Sequence, residues 1–131
     1  MIYLDTSALL KLVRAETGSA DLASWLADRS DSPLVSSALA EVEVIRSCRR
    51  IDERLVGVGR AVLAVLDVVP LDGQVLGTAA ELPDPRMRSL DALHLASALV
   101  LDPDLEVFVA YDARLVAAAR AAGLEVATPG R

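Results

Sequence analysis

Two hydrophobic rhythms alternate along this chain: apolar runs of three or four residues, and longer stretches with apolar positions three and four apart. Ile2, Tyr3 and Leu4 form the first run and stop at Asp5; Thr6 and Ser7 follow as helix N-cap candidates, and Ala8 to Arg14 has helical spacing. Beyond a break at Glu16-Thr17-Gly18, Ser19 to Arg29 carries Leu22, Trp25 and Leu26 at helical intervals, which makes Trp25 a core residue. Leu34 to Ser36 predicts a second strand. A helix from Ser37 to about Ile51 follows, with Leu39, Val42 and Ile45 on one side. The next helix spans about Glu53 to Leu66 and is loosened by Gly57 and Gly59.

Val68 and Val69 before Pro70 predict a third strand, and Asp72 caps a helix reaching Leu82. The two prolines of Leu82 to Ser89 demand a loop. Ser89 opens a helix through Leu101 that is apolar almost all round, as a buried helix is. Asp102-Pro103-Asp104 stops it. Val107 to Ala110 is a strand, Asp112 begins the last helix, Gly123 closes it, and Glu125 to Ala127 is a final strand. Short strands alternating with helices predict one α/β domain over residues 1–131: a three-layer sandwich around a mainly parallel sheet of four to five strands.

Composition agrees with one such domain. The 131 residues are 53% hydrophobic but only 3% aromatic, so Ala, Val and Leu must build the core. Charged residues interrupt every apolar segment before the roughly 20 residues that span a bilayer. No basic region precedes the first apolar run, so a cytoplasmic location is expected. The lone cysteine, Cys48, has no partner for an internal disulfide and reads as a small buried residue. A net charge of −6 opposes bulk attraction to nucleic acid unless some of the 19 carboxylates converge on cations and reverse the local sign. Arg46, Arg49, Arg50 and Arg54 supply a local basic cluster, for which a solvated helix face is the structural alternative.

Functional groups of parallel α/β sheets gather beyond the carboxyl ends of the strands. Asp5 ends the first strand, Asp112 lies two residues past the strand that closes at Ala110, and Asp91 lies in the first turn of a helix entered from a loop. Helix capping alone accounts for an acid at such positions. Carboxylates brought together there repel one another unless a cation is present, and hard oxygen donors suit Mg²⁺ or Mn²⁺. Such a site activates water for phosphoryl transfer. A fourth acid is available from Glu41 or Glu43, whose side chains differ by about 200° around a helix and so do not face one metal together. His94 stands three residues past Asp91 in the apolar helix, where packing or hydrogen bonding suits it better than general-base work.

Three motifs, Asp5-Thr6-Ser7-Ala8-Leu9-Leu10, Ser89-Leu90-Asp91-Ala92-Leu93-His94-Leu95-Ala96 and Tyr111-Asp112-Ala113-Arg114-Leu115, resemble in order and spacing those of PIN-domain ribonucleases. Their spacing and the chain length resemble the VapC toxins in particular. The resemblance implies an endoribonuclease with Asp5, Asp91 and Asp112 as catalytic metal ligands, supported by the hydroxyl of Thr6 or Ser7. It implies a glutamate as fourth ligand; the apolar pair and arginine of Val44-Ile45-Arg46 favour Glu43 over Glu41. It also implies Mg²⁺ or Mn²⁺ as cofactor, RNA as substrate, a VapB-type antitoxin as partner and a homodimer. One departure is Ala110, where many relatives carry Thr or Ser, so no hydroxyl supports Asp112 from there.

Other readings fare worse. A haloacid-dehalogenase-type phosphotransferase needs a second aspartate where Ser7 stands, and a dinucleotide-binding domain needs glycines that the first turn lacks. A binding module that keeps the fold without catalysis is the alternative from a different class, and candidates for all four acids count against it.

Overall fold

The computed structural model describes residues 1–131. Five strands, β1 (Ile2–Leu4), β2 (Leu34–Ser37), β3 (Asp67–Val69), β4 (Val107–Val109) and β5 (Val126–Ala127), form one sheet in the order β3-β2-β1-β4-β5. Every neighbouring pair is parallel, and the central β1, with most of β2 and β4, is buried as such sheets require, while β3 at the edge is largely exposed. Seven helices cover the sheet: α1 (Thr6–Val13), α2 (Ser19–Ala27), α3 (Leu39–Ile51), α4 (Val56–Ala64), α5 (Gly73–Ala80), α6 (Ser89–Leu99) and α7 (Ala113–Ala121). The predicted three-layer α/β sandwich is therefore the observed one.

The pleat of β1 divides the core. Ile2 and Leu4 join Leu9, Leu22, Ala40, Val44 and Cys48 on the face covered by α1 to α4. Tyr3 points the other way, among Val75, Leu95, Phe108, Leu115 and Ala119 from the face covered by α5 to α7. Its ring stacks on Phe108, with centroids 5.2 Å apart.

Several predicted details change. Asp5, not Thr6 or Ser7, caps α1, because a side chain at the strand's last turn reaches the free N–H groups of the first helical turn. The predicted helix over 53–66 divides into a 3₁₀ turn, Glu53–Leu55, and α4. Gly59 is buried there and lets α4 approach α3: a Cβ at Gly59 would meet the Cys48 sulfur at 3.0 Å. The buried side of α3 is Ala40, Val44, Ser47 and Cys48, whereas Val42 is 57% exposed. Small residues let α3 lie close to the sheet, and this rotation decides which glutamate faces the site. Trp25 is half-buried against the first core face and carries the Arg29 guanidinium 3.9 Å from its ring centre. No helix is long and apolar enough to cross a membrane.

Candidate active site

Parallel strands all end on one side, so the turns after β1 and β4 and the N-terminus of α6 meet beyond the carboxyl edge of the sheet. Asp5 N-caps α1, and its Oδ1 accepts the Ser7 hydroxyl at 2.6 Å and the Ala8 N–H at 2.9 Å. It is only 5% exposed. Burial raises its pKa above the usual carboxylate value, more than the bonds from Ser7 and Ala8 lower it, and the charge of Asp91 adds to the rise.

Asp112 N-caps α7, its Oδ1 accepting the N–H groups of Arg114 and Leu115, both at 3.0 Å. The two turns are tied together, since Ser7 Oγ also accepts the Tyr111 N–H at 3.3 Å. Asp91 lies in the first turn of α6. Burial raises its pKa, and the charges of Asp112 and Glu43 raise it further. The predicted acids thus share one electrostatic neighbourhood.

Of the two glutamates, Glu43 faces this neighbourhood and Glu41 is exposed. Glu43 Oε1 accepts the Thr6 hydroxyl at 2.7 Å and lies 2.7 Å from His94 Nε2. Burial pushes the Glu43 carboxyl up, but the bonds from His94 and Thr6 outweigh it and hold the group below its ordinary value. His94 itself is 2% exposed, with its second ring nitrogen 2.7 Å from the Tyr3 hydroxyl. It is a hydrogen-bonding residue, as expected. Thr6 and Ser7 divide the supporting role predicted for one of them: Thr6 serves Glu43 and Ser7 serves Asp5.

Tyr3 is the site-bordering residue that the motifs do not reveal. Its signal lies in the strand alternation, which turns one phenol into an otherwise apolar layer where its O–H needs a partner. Tyr111 is a second. Its hydroxyl donates to the Pro129 carbonyl at 2.8 Å, Lys11 Nζ lies 4.5 Å from its ring centre, and burial followed by the charges of Asp5 and Asp21 pushes its pKa up to about 12. Ala110 is fully buried and offers no hydroxyl to Asp112.

This donor set fits a hard divalent cation. The offered groups are carboxylate oxygens, and the mutual repulsion of Asp91 with Asp112 and Glu43 is what such an ion relieves. No group of three or more His, Cys, Asp or Glu side chains is drawn together tightly enough to enclose an ion unaided.

A family model described as PIN domain matches residues 2–121. The chain belongs to the PIN-domain family. Within it, the chain is 45% identical over 133 residues to Ribonuclease VapC35 of Mycobacterium tuberculosis, covering 100% of this chain and 98% of that protein. It is 39% identical to Ribonuclease VapC47 of the same organism, over 99% of this chain and 98% of the relative. Among solved PIN-like structures, FitAcB from Neisseria gonorrhoeae aligns with a TM-score of 0.74 at 19% identity, over 98% of each chain. M. tuberculosis VapC20, described as a Sarcin-Ricin loop cleaving toxin, aligns with a TM-score of 0.71 at 18% identity, over 95% of this chain and 96% of that one. These two likenesses carry the fold, and they agree with the all-parallel PIN sheet.

Proposed function

We propose that this PIN domain is a metal-dependent endoribonuclease, the toxin of a toxin–antitoxin pair, with Asp5, Glu43, Asp91 and Asp112 holding the cation. The observation that carries the reading is the shared electrostatic neighbourhood of these acids at the carboxyl edge of the sheet. The full-length identity to named VapC ribonucleases supports it.

Mg²⁺, with Mn²⁺ as substitute, would supply an activated water and neutralise charge on the phosphodiester. The chain's part is positional. Asp5 and Asp112 each commit Oδ1 to backbone or hydroxyl donors and keep Oδ2 for the ion. Glu43 does the same with Oε1. RNA reaches an acidic site only if other groups offset the net charge of −6. Arg46 and Arg50 are exposed on the helix that carries Glu43. In contrast, Arg49 pairs with Glu53 at 3.6 Å and Arg54 with Asp52 at 2.9 Å. Arg46 and Arg50 are therefore the members of the cluster proposed to meet RNA phosphates.

The expected protein partner is a VapB-type antitoxin. A cleft of about 250 Å³ along α1, with Leu10, Val13, Ile51 and Leu55 in its walls and Ser7 and Tyr111 in its lining, offers its apolar residues a seat beside the acids. A homodimer is the other assembly the relatedness to VapC proteins leads us to expect. The deciding experiment is cleavage of RNA by purified protein with Mg²⁺ or Mn²⁺. Asp5→Asn and Asp91→Asn should abolish cleavage in proteins that remain folded. If both still cleave, the mechanism is wrong; folded wild type that binds RNA without cutting it would favour an inactive binding module.

A further inference from the structure

Beneath the acids runs a buried chain of hydrogen bonds that cation binding alone does not require. His94 is the only histidine of the chain. Both its ring nitrogens are engaged: Nδ1 lies 2.7 Å from the Tyr3 hydroxyl, and Nε2 lies 2.7 Å from Glu43 Oε1 and 3.0 Å from Thr6 Oγ1. Tyr3 is fully buried. The serine hydroxyls of Ser36 and Ser97 donate to the carbonyls of Leu4 and Leu93, at 2.6 Å and 2.7 Å.

We propose that Tyr3 and His94 form an orienting relay in which the Tyr3 O–H donates to Nδ1, locks His94 as the Nε2–H tautomer and aims that N–H at Glu43 Oε1. The opposite tautomer would set an Nε2 lone pair against a carboxylate lone pair across 2.7 Å, which is repulsive. With the relay in place, Oε1 receives two donors, Nε2–H of His94 and the hydroxyl of Thr6 at 2.7 Å. That fixes side-chain torsions of Glu43 that otherwise remain free and leaves Oε2 for the ion. Tyr3 and His94 are positioning residues, acting through Glu43. The inference rests on the reading of Glu43 as a cation-holding acid.

The single histidine makes the test direct. Long-range ¹H–¹⁵N correlation on the labelled protein, with no metal added, should show one imidazole with Nε2 protonated and Nδ1 bare. Tyr3→Phe, which removes only the hydroxyl, should move the Nδ1 shift as its hydrogen bond is lost, leave Nε2 protonated against Glu43, and weaken Mn²⁺ binding about tenfold as the ring is freed to turn. His94→Gln retains an N–H near the position of Nε2 and should bind Mn²⁺ more tightly than His94→Leu, which should lose about tenfold or more. An Nδ1–H or doubly protonated ring in the wild type overturns the relay, as does Tyr3→Phe with unchanged Mn²⁺ affinity. If His94→Leu does not fold, Tyr3→Phe and His94→Gln decide. Glu43→Gln separates the two claims, because its amide oxygen still accepts from His94. Wild-type Mn²⁺ affinity in that variant refutes Glu43 as a ligand, while its His94 tautomer still reports on the relay.

Discussion

The β1–α1 and β4–α7 turns follow one plan and differ in their surroundings. In each, a short strand of the central pair ends and an aspartate caps the helix that follows, accepting through Oδ1. Asp5 is 5% exposed and takes a hydroxyl as well as a backbone donor. Asp112 is solvent-exposed and takes two backbone donors. Capping and cation binding are therefore not rival roles, because a carboxylate has two oxygens and each cap uses one. Burial makes the difference: it raises the Asp5 pKa, so on the proposed reading a cation would relieve more at Asp5 than at exposed Asp112.

The sharpest way to break this comparison is to neutralise each aspartate while leaving its cap intact. Asp5→Asn should lower RNA cleavage on the order of 100-fold or more, since it removes charge preorganised in a buried site. Asp112→Asn should lose less, about tenfold, equivalent to about 1.4 kcal/mol of transition-state stabilisation. Initial rates on a labelled RNA measure both, and an equal loss at the two turns would show that burial does not grade them.

Mn²⁺ at about 100 times its dissociation constant should stabilise the folded chain by about 2.7 kcal/mol, a rise of roughly 10 °C in melting temperature. Asp5→Asn should remove most of that rise, and Asp112→Asn less of it. A rise that survives in Asp5→Asn would place the ion elsewhere. A smaller effect tests the tie between the turns. Ser7→Ala removes a donor to Asp5 and an acceptor for Tyr111, and should cost about 1–2 kcal/mol in denaturant unfolding. Wild-type stability in Ser7→Ala would mean the two turns are held independently.

The sequence pattern made these turns legible because their determinants are local: apolar runs name the strands, and an aspartate next to helical spacing names the cap. That signal held at Asp112, but at the β1–α1 turn the cap was misassigned to Thr6 or Ser7, since all three residues are good caps and only the exit direction of β1 selects Asp5. The rotation of α3 was not legible either. Leu39, Val42 and Ile45 are the larger apolar residues, but Ala40, Val44 and Cys48 face inward, because fit against the sheet, not side-chain size, sets the buried face. The family pattern chose Glu43 over Glu41 where periodicity left both open, and the observed rotation turns Glu43 toward Thr6 and His94. The Tyr3–His94 pairing joins residues 91 positions apart, and no local pattern encodes a contact made only when the sheet and α6 pack.

The smallest effect separates cap from charge at both turns. Replacing aspartate by asparagine keeps an accepting oxygen, and replacing it by alanine removes one, so the Ala-minus-Asn difference in stability measures the cap alone. It should be about 1 kcal/mol at either position. The Asn-minus-Asp difference measures the charge, and here the turns should part. Without metal, Asp5→Asn should match or exceed wild-type stability, because a neutral amide accepts the same bonds from Ser7 and Ala8 without the burial penalty. Asp112→Asn should leave stability nearly unchanged, its carboxylate being solvated already. Denaturant unfolding of the four variants in chelator measures all these differences. If Asp5→Asn proved less stable than Asp112→Asn, the buried charge would not be the unfavourable element of the empty site, and Ser7 and Ala8 would be stabilising the Asp5 carboxylate better than its burial destabilises it.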